Sequence, residues 1–167
     1  MLIALIALAE YFIFGLARRT FVFYSALEDA TIVEDRMLRG SASRETDIRR
    51  YVEEVLLGPE SPDASPLFPR ETRLLSLIFR DGTVYADFSE AAALPADQSA
   101  IMEGILPGAS VFRSFLTLNE GIRRNFSSVK EVKLFIGGNE IFFNEFNGIF
   151  TDLADNSSKT GQKALTN

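Results

Sequence analysis

The 167-residue sequence contains no histidine, no cysteine and no tryptophan. Without histidine, the chain lacks the side chain that most often serves as a general base at neutral pH and as a metal ligand. Without cysteine, it can form no disulfide, no thiolate metal site and no thiol nucleophile. These absences exclude several classes of enzyme and metal site, so we expect no catalytic residues, no metal and no cofactor.

Clustered positive charge is also missing. The chain has 17 Lys and Arg against 23 Asp and Glu, and no run of basic residues is longer than two. Because nucleic-acid binding needs a clustered cationic surface, the sequence predicts no nucleic-acid partner.

Apolar residues, in contrast, are abundant. They make up 47% of the chain and include 15 Phe, which is enough for the core of one ordinary domain.

The first 17 residues, MLIALIALAEYFIFGLA, form an apolar run with a single charge, Glu10, and two arginines follow it. The run fits a membrane anchor, a cleaved signal peptide or a helix buried in the core. No Lys or Arg precedes it, which argues against the first two interpretations. The arginines after it would place the domain in the cytoplasm by the positive-inside bias. We assign residues 1–19 to a hydrophobic anchor or signal segment, with residues 1–17 as a hydrophobic helix.

Two segments have the apolar periodicity of helices. The first is predicted to begin after the N-cap residue Ser43 and to end at Gly58-Pro59, and the second to begin at Ser110. Glu53 and Glu54 are neighbours on the first helix and point apart, which predicts a solvated face and no acid–base pair. The apolar stripes are Ile48, Val52, Val55 and Leu56 in the first helix, and Val111, Phe115, Leu118 and Ile122 in the second.

The clearest local signal is a hairpin in RLLSLIFRDGTVYADFSE (73–90). Asp81-Gly82 predicts a type I′ turn, because both central residues of that turn need a positive φ. The first strand is apolar on nearly both faces, which predicts a central, covered strand. We expect Leu77 and Val132 to be buried in the sheet.

Other segments have the composition of strands, turns or loops. Residues 59–72 contain four prolines and are predicted to be an irregular loop. Residues 144–167 are polar and without periodicity, which predicts a flexible tail. The remaining strand and turn candidates are TFVFYS (20–25), TIVEDRML (31–38), VKLFI (132–136) and the hairpin turn Gly137-Gly138-Asn139.

In this order, the segments resemble the sporulation and spore germination domain, usually called GerMN. The resemblance covers residues 20–143, with two departures: residues 89–110 are longer than the family norm, and Gly137-Gly138 stands where the family usually has Asp-Gly. The matching pieces are FVFYS, VEEVLLGP (52–59), PRETRLLSLIF, GTVYADFSE, FSSVKEV (126–132) and KLFIGGN.

The resemblance implies a compact α/β (α+β) domain in which two helices pack on one small mixed or antiparallel sheet, with a βαββαβ plan. It also implies a domain on the extracytoplasmic side of the cell membrane, which favours an external location over the cytoplasmic one. Such domains are thought to be non-enzymatic assembly or interaction modules of the cell envelope. We therefore expect envelope proteins or a second copy as partners, and no small-molecule ligand.

The alternative is a wall-associated protein that binds or hydrolyses glycan or peptide. Tyr24, Tyr51 and Tyr85 are the aromatic candidates for a glycan site. A hydrolase of this kind would also need two carboxylates across a cleft.

Asp87, Ser89 and Glu90 are the strongest candidates for chemistry. Ser89 beside Asp87 lacks a base that could activate its hydroxyl, while Asp87 and Glu90 could hold a hard cation through their oxygens. We expect instead that Asp87 caps the turn or helix that follows it, or faces solvent.

If protein contacts are the function, exposed sheet edges are their expected places, because unpaired backbone groups accept another strand. The candidate edges are TFVFYS and EIFF (140–143), together with the loop 59–72.

Overall fold

The computed structural model describes residues 15–25, 30–96 and 107–141. Most of the predicted N-terminal helix and the whole predicted tail, residues 144–167, lie outside these ranges. The described elements are β1 (Leu16–Ser25), β2 (Thr31–Arg39), α1 (Arg44–Leu57), β3 (Ala64–Ser65), β4 (Leu74–Arg80), β5 (Thr83–Phe88), a 3-10 helix (Glu90–Ala93), α2 (Pro107–Asn125), β6 (Glu131–Ile136) and β7 (Asn139–Glu140).

The strands form two sheets, where one was expected. The first sheet has the order β2-β1-β3 and is antiparallel. The second has the order β4-β5-β6-β7, in which β5 and β6 are parallel. A parallel pair needs a crossover connection, and α2 lies within it. The order β1-α1-β4-β5-α2-β6 keeps the expected βαββαβ plan, but pairing with β2 takes β1 out of the second sheet.

Strand β1 begins at Leu16, four residues before the expected start of the domain at residue 20. Its first residues pair with the end of β2, Leu16 opposite Arg39. These residues are therefore strand and not the end of an anchor helix, because β2 offers them backbone hydrogen bonds. Among the described residues, no helix is both long and apolar enough to cross a membrane.

Both helices contact both sheets: α1 contacts β2 and β4, and α2 contacts β1 and β6. The two apolar stripes point into this shared core, as predicted, with Val52 and Phe115 fully buried. Leu77 and Val132 are also buried, at 2% and 8% exposure. Burying large apolar side chains of this kind stabilises the fold by about 1.5–3 kcal/mol each.

The start of α1 is as predicted and the start of α2 is not. The Ser43 side chain accepts a hydrogen bond from the Thr46 N–H, which caps α1. Helix α2 begins at Pro107, so Ser110 lies inside the helix, where its carbonyl accepts from the Ser114 hydroxyl at 3.1 Å. Proline suits the first turn because the N–H that it lacks has no partner there.

The two predicted hairpin turns are confirmed. Asp81 and Gly82 have φ values of 53° and 86°, and Gly137 and Gly138 have 56° and 81°. Strand β4, however, lies at the edge of its sheet, not at the centre. Of its apolar side chains, Leu77 is buried while Leu75 and Ile78 are exposed. The pattern of apolar residues on both faces was therefore misleading, because part of that strand faces solvent.

Candidate interaction surface

Asp87 and Ser89 each hold a different part of the backbone in place. Asp87 Oδ1 accepts from the Gly138 N–H at 3.0 Å and so supports the β6–β7 turn. Ser89 Oγ accepts from the Arg73 N–H at 3.0 Å, beside a backbone bond from the Ser89 N–H to the Arg73 carbonyl. Asp87 was expected to cap the turn or helix that follows it or to face solvent. It caps instead a turn distant in sequence, with its side chain half-exposed.

Glu90 is exposed and lies beside Gly137. Asp87 and Glu90 are not part of a metal cluster, since no group of three or more acidic side chains in the described part of the chain could hold a metal ion. The structure therefore assigns Asp87 a structural role.

The three candidate tyrosines lie in different environments. Tyr51 is 2% exposed, stacks on Phe21 with ring centroids 4.7 Å apart, and donates to the Thr20 carbonyl at 3.3 Å. Burial raises the pKa of its hydroxyl. Tyr24 is half-buried beneath the Arg113 guanidinium. Only Tyr85 of the three is classed as exposed, so these tyrosines do not form one aromatic platform.

The edge of β1 is not open, contrary to expectation. Strand β1 is central in its sheet, and the side chain of Asn125 forms hydrogen bonds with both the N–H and the carbonyl of Thr20. The Thr20 N–H donates to Asn125 Oδ1 at 2.9 Å, and Asn125 Nδ2 donates to the Thr20 carbonyl at 2.7 Å. The amide of Asn125 therefore takes the place of a neighbouring strand.

The edge of β4 is covered in a similar way by α1. The Phe79 N–H donates to Glu45 Oε2 at 2.9 Å, and the Leu77 carbonyl accepts from the Arg49 guanidinium at 3.0 Å. These charged side chains occupy backbone groups that could otherwise pair with another chain. The other expected edge, EIFF, has Glu140 in β7, paired with Lys133 at 3.5 Å, and its two phenylalanines lie outside the described residues.

The Pro-containing loop 59–72 is fixed to the core by its buried residues, Ala64, Leu67, Phe68 and Thr72. Leu67 and Phe68 are buried, and the Phe68 ring lies 4.9 Å from that of Phe115 and 5.9 Å from that of Phe88. The loop therefore anchors itself through its own apolar residues. The other residues of the loop are exposed or half-exposed, and its second half lines a groove of about 390 Å³.

What remains exposed and apolar on the first sheet is one side of the β1–β2 ribbon. Register places Leu16, Arg18, Val33, Asp35 and Met37 on this side, which we call the ribbon face. Its three apolar residues are exposed, Leu16 at 54%, Val33 at 57% and Met37 at 55%. Arg18 pairs with Asp35 between them, and hydrogen bonds from Thr20 and Arg18 lower the pKa of Asp35.

The opposite side of β2 is held by a buried arginine. The Arg36 guanidinium lies 4.8 Å from the Phe21 ring and donates to the Gly58 carbonyl at 2.8 Å. It also pairs with Glu34 and, at 3.5 Å, with Glu54. Glu54 was expected on a solvated face; it lies there only in part, because it turns toward this buried charge.

Glu34 fixes the same region to the loop after α1. Burial alone would raise its pKa, but the N–H of Ser61, the Arg36 guanidinium and the N–H of Glu60 together hold the pKa below its ordinary value. The Ser61 N–H lies 3.0 Å from Glu34 Oε1. The ribbon face is therefore presented by a strand whose inner side is firmly attached to α1 and the loop.

Three residues with a role in this region were not predicted from the sequence: Asn125, Arg36 and Gly121. Asn125 and Arg36 act on partners far away in sequence, so no local pattern marks them. Gly121, in contrast, lies inside α2 next to Ile122 of the apolar stripe, and a glycine within a helix often marks a close packing contact. A Cβ at this position would lie 2.3 Å from the Tyr51 hydroxyl oxygen.

Comparison with known proteins identifies the class. Residues 21–142 match the sporulation and spore germination family, Germane. Because this match spans most of the chain, the chain belongs to that family, as the motifs had indicated. No curated protein matches the sequence.

Three solved structures are similar to this chain, and the first of them supports a shared fold. The tandem GerMN domains of the sporulation protein GerM from Bacillus subtilis are 17% identical, with a TM-score of 0.52, and the match covers 76% of this chain and 41% of that one. The first GerMN domain of the same protein gives 19% identity and a TM-score of 0.45, over 75% and 86% of the two chains. A Clostridium perfringens protein described as a lipoprotein gives 14% and 0.45, over 76% and 78%.

Proposed function

We propose that this chain is a non-enzymatic, extracytoplasmic domain that works as an assembly or interaction module of the cell envelope, attached to the membrane through the apolar N-terminal residues that precede β1. Membership of the sporulation and spore germination family supports an envelope role. The apolar N-terminal run supports attachment. The chain spans 41% of the tandem-domain GerM structure, so the role of that whole protein is not transferred to it.

The observation that carries the proposal is the ribbon face. Three large apolar side chains on one side of two neighbouring strands are more than half exposed, which makes this side a candidate contact surface. The strands that present them are fixed from below by Arg36 and Glu34. A rigid apolar surface with a charged pair at its centre suits a protein partner, because little ordering is needed on binding.

A photo-reactive amino acid at Val33 tests this proposal in intact cells that express the full chain. We expect covalent adducts with envelope proteins or with the chain itself. The matched control is the same amino acid at Asp81, an exposed residue of the β4–β5 turn. Adducts at Asp81 but not at Val33 would contradict the ribbon face as the contact surface, and no adducts at either position would contradict the interaction role.

One observation favours the second candidate, a wall-associated protein that binds glycan or peptide. A groove of about 260 Å³ lies between the ribbon and α2, and Tyr24, Thr117, Glu120 and Arg124 are among its lining residues. Such a mixture of an aromatic ring with polar groups can recognise a sugar or a peptide. Titration with cell-wall fragments, with amide shifts confined to the groove, would support this candidate.

A further inference from the structure

The hydrogen bonds at the two ends of the β1–β2 ribbon show which backbone groups of β2 point outward. The Gly40 N–H donates to the Gly15 carbonyl at 3.0 Å, and the Ser25 N–H donates to the Ala30 carbonyl at 2.8 Å. Hydrogen-bonded and non-hydrogen-bonded pairs alternate along an antiparallel ladder. The even-numbered residues of β2 therefore bond to β1, and Val33, Asp35 and Met37 direct their N–H and C=O groups away from it.

The position of Thr20 agrees with this assignment. Thr20 is opposite Asp35 in the ladder, so its backbone groups also point away from the partner strand, and both bond to Asn125. For Val33, Asp35 and Met37, no equivalent cover exists among the described residues, where β1 is the only strand paired with β2. Helix side chains thus bond to outward backbone groups of β1 at Thr20 and of β4 at Leu77 and Phe79. On β2, a helix side chain reaches only the end of the edge, where Arg50 donates to the Arg39 carbonyl, and Val33, Asp35 and Met37 have no such partner among the described residues.

The sequence of β2 is complementary to itself when two copies run antiparallel. The segment Ile32–Leu38 reads IVEDRML. With Asp35 at the centre, Val33 lies opposite Met37 of the second copy, Glu34 opposite Arg36, and Ile32 opposite Leu38. Apolar residues then face apolar residues, which stabilises a strand pair. Glu34 and Arg36 already bind each other within one copy, and this alignment places no like charges opposite each other at these two positions. Moving the centre of the pairing by one residue, from Asp35 to Glu34 or to Arg36, shifts the strands by two residues and would place Glu34 opposite Glu34, or Arg36 opposite Arg36.

We propose that two copies of this chain associate by pairing their β2 strands antiparallel about Asp35, so that the two three-stranded sheets become one six-stranded sheet. This inference rests on the proposed function, since it specifies one partner of the interaction module. The pairing would satisfy the outward backbone groups of Val33, Asp35 and Met37. It would also join the two ribbon faces into one continuous surface.

One contact in this arrangement is unfavourable. Asp35 of each copy lies opposite the other, and like charges directly opposite destabilise a strand pair. Arg18 and Thr20 in each copy offset this repulsion through their bonds to Asp35. We therefore expect Asp35→Asn to tighten association about two- to fivefold, which corresponds to relief of one like-charge pair.

Cysteine cross-linking tests the pairing and its register together, because the native chain has no cysteine. Val33→Cys and Met37→Cys are prepared as separate full-length proteins in detergent micelles, mixed and oxidised. In the proposed register, residue 33 of one copy and residue 37 of the other have Cα atoms about 5.5 Å apart, within the range of a disulfide. Two residues 33 would be about 13 Å apart, too far for a disulfide.

We expect a disulfide-linked dimer in the mixture and none in either variant alone. Hydrogen exchange of the native chain provides a second measurement: the amides of Val33, Asp35 and Met37 should become protected as protein concentration rises. Dimers of Val33→Cys alone would overturn the register. The absence of a linked dimer in the mixture, with no concentration-dependent protection of these amides, would overturn self-pairing. Adducts with other envelope proteins at Val33 in cells would then still support the proposed function, so the two failures are distinguishable.

Discussion

Replacing Gly121 by alanine tests the contact on which the packing of the two helices depends. In the interior of an isolated helix, this change stabilises by about 0.8–1 kcal/mol, because alanine has the higher helix propensity. Here the added Cβ would lie 2.3 Å from the Tyr51 hydroxyl oxygen, a distance at which something must shift. Tyr51 cannot turn freely, since it is stacked on Phe21 and has Phe126 at its edge, 5.8 Å away.

The expected magnitude follows from these opposing effects. Overpacking costs about 1–3 kcal/mol, and displacing the Tyr51 hydroxyl from the Thr20 carbonyl costs about 0.5–1.5 kcal/mol more. After subtraction of the propensity gain, Gly121→Ala should lower the free energy of unfolding by about 1–3 kcal/mol. Denaturation followed by far-ultraviolet circular dichroism measures this quantity, which is convenient for a chain without tryptophan.

Tyr51→Phe provides the matched control because it removes the clashing oxygen. The nearest ring carbon would then lie 3.3 Å from the new Cβ, a contact that small shifts can relieve. In this background we expect Gly121→Ala to be neutral or stabilising, so that the two changes couple by about 1–3 kcal/mol in a double-mutant cycle. If Gly121→Ala stabilises the native chain by its full propensity gain, the close contact between α1 and α2 does not exist.

Three further predictions concern the core and the covered edge. Leu77→Ala should lower the free energy of unfolding by about 2–5 kcal/mol, and a loss well under 1 kcal/mol would contradict its burial. Asn125→Ala should lower the free energy of unfolding by about 1–3 kcal/mol and speed hydrogen exchange at the Thr20 amide, because it leaves the N–H and carbonyl of Thr20 without their partner. Unchanged exchange at Thr20 would show that Asn125 does not protect this amide. The pKa of Glu34 is held below the ordinary value of a glutamate, so its stabilising contribution is present above that ordinary value and is lost as the pH falls through the lowered value. The stability of the native chain should therefore fall more steeply in acid than that of Glu34→Gln, and parallel pH profiles would exclude a role for this carboxylate.

The parts of the fold that were predictable are those with a local cause. Asp81-Gly82 fixes a hairpin because few residue pairs tolerate two positive φ values, and Ser43 caps α1 through its own side chain. The apolar stripes identified core residues such as Phe115 because a helix must bury one face. These features depend on residues that are close together in the sequence.

The parts that were not predictable depend on contacts between distant residues. Whether an apolar residue such as Ile78 is covered depends on which elements lie above it, and the alternation in β4 carries no such information. The division into two sheets follows from the pairing of β1 with β2 and from the cover that Asn125 gives to Thr20. The symmetry of IVEDRML was visible in the sequence, but it became meaningful only when β2 proved to be an edge strand.

The central claim is that this chain works through contacts of the ribbon face and the β2 edge, and not through chemistry at its carboxylates. The most direct measurement is a complementation assay in cells that lack the chain. Two variants are compared, each at native abundance in the membrane: Met37→Lys, and the double variant Asp87→Asn with Glu90→Gln. A lysine on an edge strand opposes pairing and removes an exposed apolar contact, so Met37→Lys should fail to restore function. The carboxylate variant should restore it, since the side-chain oxygen of asparagine can still accept from Gly138. Restoration by Met37→Lys, together with failure of the folded carboxylate variant, would contradict the account.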